Sequence, residues 1–191
     1  EVGHFGSSLV QRLRAQCRQD VVAARQLAGE QVAPQLRDGF DQPVDAMQGL
    51  IHRAKAHGIV ACDPGSAGYI ADHSVHTFLA AIAGTDLLLP SLEEGRILSA
   101  ESRPEIVAAL LGEWFPQVAL TLGADGVQLQ SSAGNEHIPA ISAEVIDVTG
   151  AGDAFAASLI SEMLKNKSLS LAAQTAVKFA AKAVTKLGGR P

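Results

Sequence analysis

The run Asp86-Leu87-Leu88-Leu89-Pro90 is short, uniformly apolar and closed by a proline. That is the pattern of a strand buried on both faces rather than on one. Working upstream, Val75, Phe78, Leu79 and Ile82 recur at helical spacing, and Gly84 offers a stop. Before them, Ile59-Val60-Ala61-Cys62 is a second apolar run, ending in the turn signal Asp63-Pro64-Gly65, and is expected to be another buried strand. Val44, Met47, Ile51 and Ala54 mark one face of a helix ahead of Gly58. Downstream, Ser102 and Pro104 open a helix through Leu111. Val118-Ala119-Leu120-Thr121 is a third buried strand, ending in the tight turn Gly123-Ala124-Asp125-Gly126. Val127-Gln128-Leu129-Gln130 alternates as a half-exposed strand would. Gly150 to Leu164 and Ser170 to Lys186 read as helices. Helices alternating with apolar strands imply an α/β fold whose mainly parallel sheet is covered on both faces. Ligands of such sheets bind beyond the carboxyl ends of the strands. The turns after Cys62, Leu89 and Thr121 are therefore the places to look for chemistry.

At 191 residues the chain suits one domain, 1–191, with a substantial core. Hydrophobic residues make up 47% and charged residues 18%, which excludes a disordered chain. A net charge of −5 with scattered Lys and Arg argues against a nucleic-acid surface. Cys17 and Cys62 have no zinc-ligand spacing, and a reducing, cytoplasmic setting is expected. Cys62 sits in an apolar run and reads as a small core residue. Glu1-Val2-Gly3-His4 shows no signal-peptide pattern, and no apolar run is long enough for a membrane span. His52 with His57, and His73 with His76, lack a convincing third ligand and read as solvent-facing. Trp114 and Phe115 read as core.

The chemistry concentrates between Asp147 and Asp153, in Asp147-Val148-Thr149-Gly150-Ala151-Gly152-Asp153. Glycines on either side of Ala151 let successive N–H groups point at one centre. A helix start adds unsatisfied N–H donors and partial positive charge, so the loop suits a phosphate. Asp153, in the first turn, can accept a proton from an attacking hydroxyl, worth about 10²–10⁴-fold for a positioned base.

The stretch Ile146 to Phe155 closely resembles the C-terminal signature of the ribokinase, or phosphofructokinase-B, family of carbohydrate kinases. Three more segments match in order: Leu120 to Gly126 is similar to the nucleotide-side strand and turn. Leu87 to Glu94 is similar to the segment with the Asn-x-x-Glu motif, and Val60 to Pro64 to the strand ending in Asp-Pro. The resemblance spans roughly residues 44 to 189 and leaves 1–43 poorly matched. It implies a ribokinase-like three-layer α/β/α fold and transfer of the γ-phosphoryl group of ATP, with Mg²⁺, to a sugar or nucleoside hydroxyl. By position it makes Asp153 the catalytic base, with the N–H groups of Gly150, Ala151 and Gly152 holding the transferred phosphoryl. It places Thr121, Gly123, Gly126 and Thr149 at the nucleotide and Glu94 on the Mg²⁺ hydration shell. Asp147 then organises a loop that in many members borders a monovalent-cation, K⁺, site.

The chain departs from the family pattern in several places. Ser91 stands where Asn is usual, Gly65-Ser66-Ala67 follows Asp63-Pro64, and Ala180-Ala181 takes the place of an Asn near adenine. Val2-Gly3-His4-Phe5-Gly6 with Leu9 and Leu13 is similar to a helix start well inside the family fold. No Gly-Gly acceptor motif and no alternating lid strands are found. The acceptor-binding region and the lid are therefore expected to be missing from these residues, and an exposed sheet edge would favour a homodimer. Two alternatives stay open. One is a weak or inactive kinase-like protein that binds nucleotide or a partner. The other is a dinucleotide-binding domain, for which Gly150-Ala151-Gly152 lacks the third glycine and the position after a first strand.

Overall fold

The structure is a computed structural model that describes residues 44–72 and 74–188. The expectations for residues 2–13, for Cys17 and for His73 lie outside the described residues. The chain runs α1 (Val44–Lys55), β1 (Ala61–Cys62), α2 (Ala67–Asp72), α3 (Val75–Ala81), β2 (Leu87–Leu88), α4 (Leu92–Ser99) and α5 (Pro104–Gly112). It continues with β3 (Gln117–Thr121), a 3₁₀ turn (Gly123–Asp125), β4 (Val127–Ser131), β5 (Gly134–Ile138), α6 (Ala151–Met163) and α7 (Leu169–Ala183). The strands form one sheet in the order β1-β2-β3-β4-β5. β1, β2 and β3 are parallel, whereas β3–β4 and β4–β5 are antiparallel.

Period-two alternation sorts the strand residues onto two cores. Leu87, Leu89, Ala119, Val127 and Leu129 face Phe155 and Leu159 of α6 and Ala172, Ala173 and Ala176 of α7. Leu88, Val118 and Leu120 face Ile51, Leu79, Leu98, Val107 and Leu111 on α1, α3, α4 and α5. The three layers are therefore two helices, the sheet, and a second helical layer. The small side chains of α7 let it lie close to the sheet. Phe115 is buried and Trp114 packs at the rim of the second core, in line with the reading of both as core residues.

Two strand readings need correction. Residues 59–62 do not form a buried strand: β1 covers only Ala61–Cys62, Ala61 is exposed, and Ile59 is 68% exposed. β1 is the edge strand among the described residues, so no described strand pairs with its outer side. Cys62 is half-buried against the second core. Conversely, β4 is buried rather than half-exposed over Val127–Leu129. Its polar face is covered because Gln128 donates to the Asn135 side chain, whose Nδ2 donates in turn to the Glu105 carbonyl of α5 at 2.8 Å. Polar residues satisfied under a helix look, in sequence, like polar residues in water.

Helix α4 begins with a capping box. Ser91 Oγ accepts from Glu94 N at 3.3 Å, and Glu94 Oε2 accepts from Ser91 N at 2.7 Å. Ser91→Ala removes the cap and is expected to cost about 1 kcal/mol. Urea denaturation checks this: the midpoint should fall with an unchanged slope. No described helix is long and apolar enough to cross a membrane.

Candidate functional site

A cleft of about 560 Å³ opens where the Gly123–Gly126 turn, residues 140–145, the start of α6 and the later turns of α7 meet. That volume is in the usual range for small-molecule sites, about 300–1,000 Å³. Of the residues singled out in the sequence, Thr121, Gly123, Gly126, Ala151 and Gly152 line it. Gly150, Thr149, Asp147, Asp153 and Glu94 stand outside its lining. Sequence reasoning missed the apolar walls. They are Ile141 and Val145 on one segment and Phe155, Val177 and Val184 on the helices; Ala180 and Ala181, which the resemblance had set near adenine, line the cleft as well. The i, i+4, i+7 spacing of the α7 residues was the available signal, and it was absorbed into the packing face of that helix.

The turn after β3 is shaped by Gly126. Its backbone lies at φ 99° and ψ −129°, and a Cβ there would sit 2.1 Å from Ile138 O and 2.6 Å from Ala140 N. Only glycine allows that approach. The chain leaving β5 therefore runs directly over the turn and carries residues 140–145 to the cleft. The turn is closed by Leu122 N donating to Gly126 O at 2.8 Å and by His137 Nε2 donating to Asp125 O at 2.8 Å.

The glycine loop is fastened at its base by Asp147. One carboxylate oxygen accepts from Thr149 N at 2.9 Å and the other from Gly188 N at 2.9 Å. Ile146 N donates to Val184 O at 2.8 Å. The loop is thus tied to the chain that leaves α7. Gly150 then turns the backbone through φ 78° into α6. Ala151 N–H donates to Val148 O at 3.2 Å and Ala154 N–H to Gly150 O at 2.9 Å. Helix geometry leaves the amides of Gly152 and Asp153 without acceptors inside α6. Asp153 is exposed in that first turn.

The amide of Thr149 first, then that of Gly188, holds the Asp147 carboxyl below its ordinary range. A depressed folded pKa contributes stability above the unfolded value, and the contribution is lost as pH falls through the folded value. The unfolded value is about 3.9. The melting-temperature gap between wild type and Asp147→Ala is therefore expected to be full above that pH and to narrow below it. Thermal melts from pH 6 to 2.5 check this. A gap that widens toward acid would contradict the bonding described.

Glu94, Cys62 and Thr121 gather at the carboxyl ends of the parallel strands. Glu94 is buried at 6% exposure, with one oxygen on the Ser91 amide. Burial, then the charges of Asp63 and Glu94, push the Cys62 thiol up to about 11. Thr121 N donates to Pro90 O at 2.9 Å, which sets β3 beside the Ser91 cap. Among the described residues no group of three or more His, Cys, Asp or Glu could hold a metal ion.

Comparison with known proteins bears on this arrangement. The model of the pfkB family of carbohydrate kinases matches residues 17–191. An uncharacterized sugar kinase of Archaeoglobus fulgidus is 28% identical over 131 residues, covering 69% of this chain and 52% of its own length. Among solved structures, an aminoimidazole riboside kinase from Salmonella enterica, complexed with aminoimidazole riboside and an ATP analog, superposes with a TM-score of 0.65. It is 27% identical and covers 76% of this chain and 52% of that one. Adenosine kinase from Sinorhizobium meliloti superposes with a TM-score of 0.71 at 23% identity, over 80% of this chain and 48% of that one. The chain spans about half the length of these relatives. The expected ribokinase-like fold is borne out. The dinucleotide alternative has the wrong placement, since Gly150-Ala151-Gly152 follows β5 and opens the penultimate described helix.

Proposed function

Because the chain belongs to the pfkB family of carbohydrate kinases, we propose that it is the phosphoryl-transfer half of an ATP-dependent sugar or nucleoside kinase. The observation that carries this reading is one juxtaposition. An apolar cleft of nucleotide size ends on the first turn of α6, and that turn carries both unspent amides and Asp153.

In this reading the base and ribose of ATP occupy the cleft between residues 140–145 and α7. The triphosphate extends past Gly123 toward Gly152. The amides of Gly152 and Asp153 receive the charge of the transferring group. Ala151 contributes once its bond to Val148 O is given up, and Gly150 supplies the turn that aims the loop. Thr149 acts through its amide, which holds the Asp147 latch. Asp153 accepts the proton of the acceptor hydroxyl as that oxygen bonds to the γ-phosphorus and the bridging bond to ADP breaks. Catalysis of this kind is mostly positioning and electrostatics.

Magnesium fits the residues present in the way usual for nucleotide enzymes, which bind it with one or two carboxylates and the substrate phosphates. The capping bond uses Glu94 Oε2. The other oxygen would hold a water of the ion, which would supply charge neutralisation at the phosphates. Both Asp147 oxygens accept an amide, so its part here is to hold the loop.

The test is calorimetric titration with Mg-ATP, followed by ADP release measured against a panel of sugars and nucleosides. Binding with acceptor-dependent ADP release is the expected result. Binding without release on any acceptor supports the second reading, a nucleotide-binding protein with weak transfer. Absence of ATP binding overturns both.

A further inference from the structure

The wall of the cleft on α7 is one helical face, with Val177, Ala180, Ala181 and Val184 recurring at i, i+3, i+4 and i+7. The opposite wall is the segment from Ala140 to Val145, with Ile141 and Val145 as its large side chains. Among the described residues, no charged, amide or ring-nitrogen side chain lines this cleft. Its polar side chains are the hydroxyls of Thr121 and Ser142. A hydroxyl both donates and accepts and turns to suit its partner. Thr121 Oγ1 already faces Pro90 O at 3.4 Å.

Adenine and guanine differ in the donors and acceptors along their edges, not in the apolar faces they present. A site built to hydrogen-bond one group rejects an analogue lacking it by about 10⁴–10⁵-fold, whereas an apolar pocket separates near-isosteres by only about 10–200-fold. From this lining we infer that the phosphoryl donor of this protein is the class of purine nucleoside triphosphates rather than ATP alone. The base is gripped between α7 and residues 140–145 by its faces, and its edge is left to water and to groups that accept either pattern. Pyrimidine nucleotides bury less ring against the same walls and bind more weakly.

This inference rests on the kinase reading above, and the experiment separates the two. Mg-ATP, Mg-GTP and Mg-CTP are titrated into the protein by calorimetry. ATP and GTP are expected to bind within about tenfold of each other, with CTP weaker than both. ATP leading GTP by more than about a hundredfold overturns the inference and leaves the kinase reading standing. Failure of all three to bind overturns both. Two variants place the effect in the cleft. Ala180→Phe fills the α7 wall and is expected to weaken ATP and GTP together, with circular dichroism confirming the fold. Ile141→Ala, at a side chain 46% exposed, leaves the core untouched and is expected to weaken both severalfold in parallel. Unchanged affinities in both variants would overturn the placement of the base, and with it the inference.

Discussion

Asp153→Asn is expected to lower the turnover of acceptor-dependent phosphoryl transfer by about 10²–10⁴-fold while leaving Mg-ATP affinity within a small factor of wild type. The split follows from where the residue sits. Asp153 is exposed on the first turn of α6 and does not line the cleft, so the nucleotide loses no wall. Asn keeps the size and the oxygen of the side chain but cannot take up a proton at neutral pH. The loop behind it does not depend on the substitution, because its fastenings are the Asp147 bonds to Thr149 N and Gly188 N and the αL turn at Gly150. A loss confined to turnover marks a group that acts on the reacting atoms. Equal turnover in the two proteins would remove Asp153 as the base. Equal losses of affinity and turnover would make it a loop residue instead.

The sheet and its helical layers were legible because apolar runs of four or five residues, separated by helical periodicity, have few other solutions. Leu87, Leu88 and Leu89 are all buried as read, and α1, α3, α6 and α7 begin and end close to where spacing and capping residues put them. The misreadings share one cause, which is that sequence does not report what covers an element. Ile59 is apolar yet exposed at the sheet edge, while Gln128 is polar yet buried beneath α5. β5, helix α4 and the short helix α2 were not anticipated. Residues 134–137 of β5 are exposed and carry no apolar alternation, so only pairing with β4 makes them a strand.

The site divided in the same way. The Gly123–Gly126 turn and the Gly150–Asp153 loop carry glycines at fixed offsets, and glycine spacing survives in sequence because its cause is local backbone geometry. The walls of the cleft carry no such mark. Val177 and Val184 are chemically the same as core residues, and only the three-dimensional arrangement shows that they also face open space. Glu94 was placed near the reaction by resemblance, and the structure adds that its carboxylate caps α4. Any role toward a cation must therefore be compatible with the bond to the Ser91 amide. Glu94→Gln, which keeps an oxygen for the cap but loses the charge, separates the two roles. A melting temperature near wild type with weaker Mg²⁺ dependence of ATP binding is the expected outcome, and an unchanged Mg²⁺ dependence would leave Glu94 only its cap.

The largest stability effect is expected at Gly126. Its φ of 99° with ψ −129° is backbone territory that side chains rarely enter, costing about 1–3 kcal/mol. The added Cβ of Gly126→Ala would also fall 2.1 Å from Ile138 O and 2.7 Å from the Pro139 carbonyl carbon. These are main-chain atoms and cannot rotate away. The hairpin cannot slide to relieve the contact either, because Val127 pairs with Ile138 and a one-residue slip would turn Val127 and Leu129 out of the core. Overpacking of this kind adds about 1–3 kcal/mol. The total, about 2–6 kcal/mol, is a large share of the 5–15 kcal/mol that a domain usually has. Gly123→Ala is the matched control. Gly123 also has positive φ, at 61°, but nothing lies within 4 Å of its Cβ position, so only a left-handed-backbone cost of about 1 kcal/mol is expected. Because residues 140–145 leave the hairpin at that contact, relief of the Gly126 clash must move the cleft wall. Gly126→Ala protein that remains folded at low temperature is therefore expected to lose nucleotide affinity as well as stability, whereas Gly123→Ala keeps its cleft. Similar midpoints for the two alanine variants in urea would show that the turn can yield, and that the wall formed by residues 140–145 does not depend on glycine at 126.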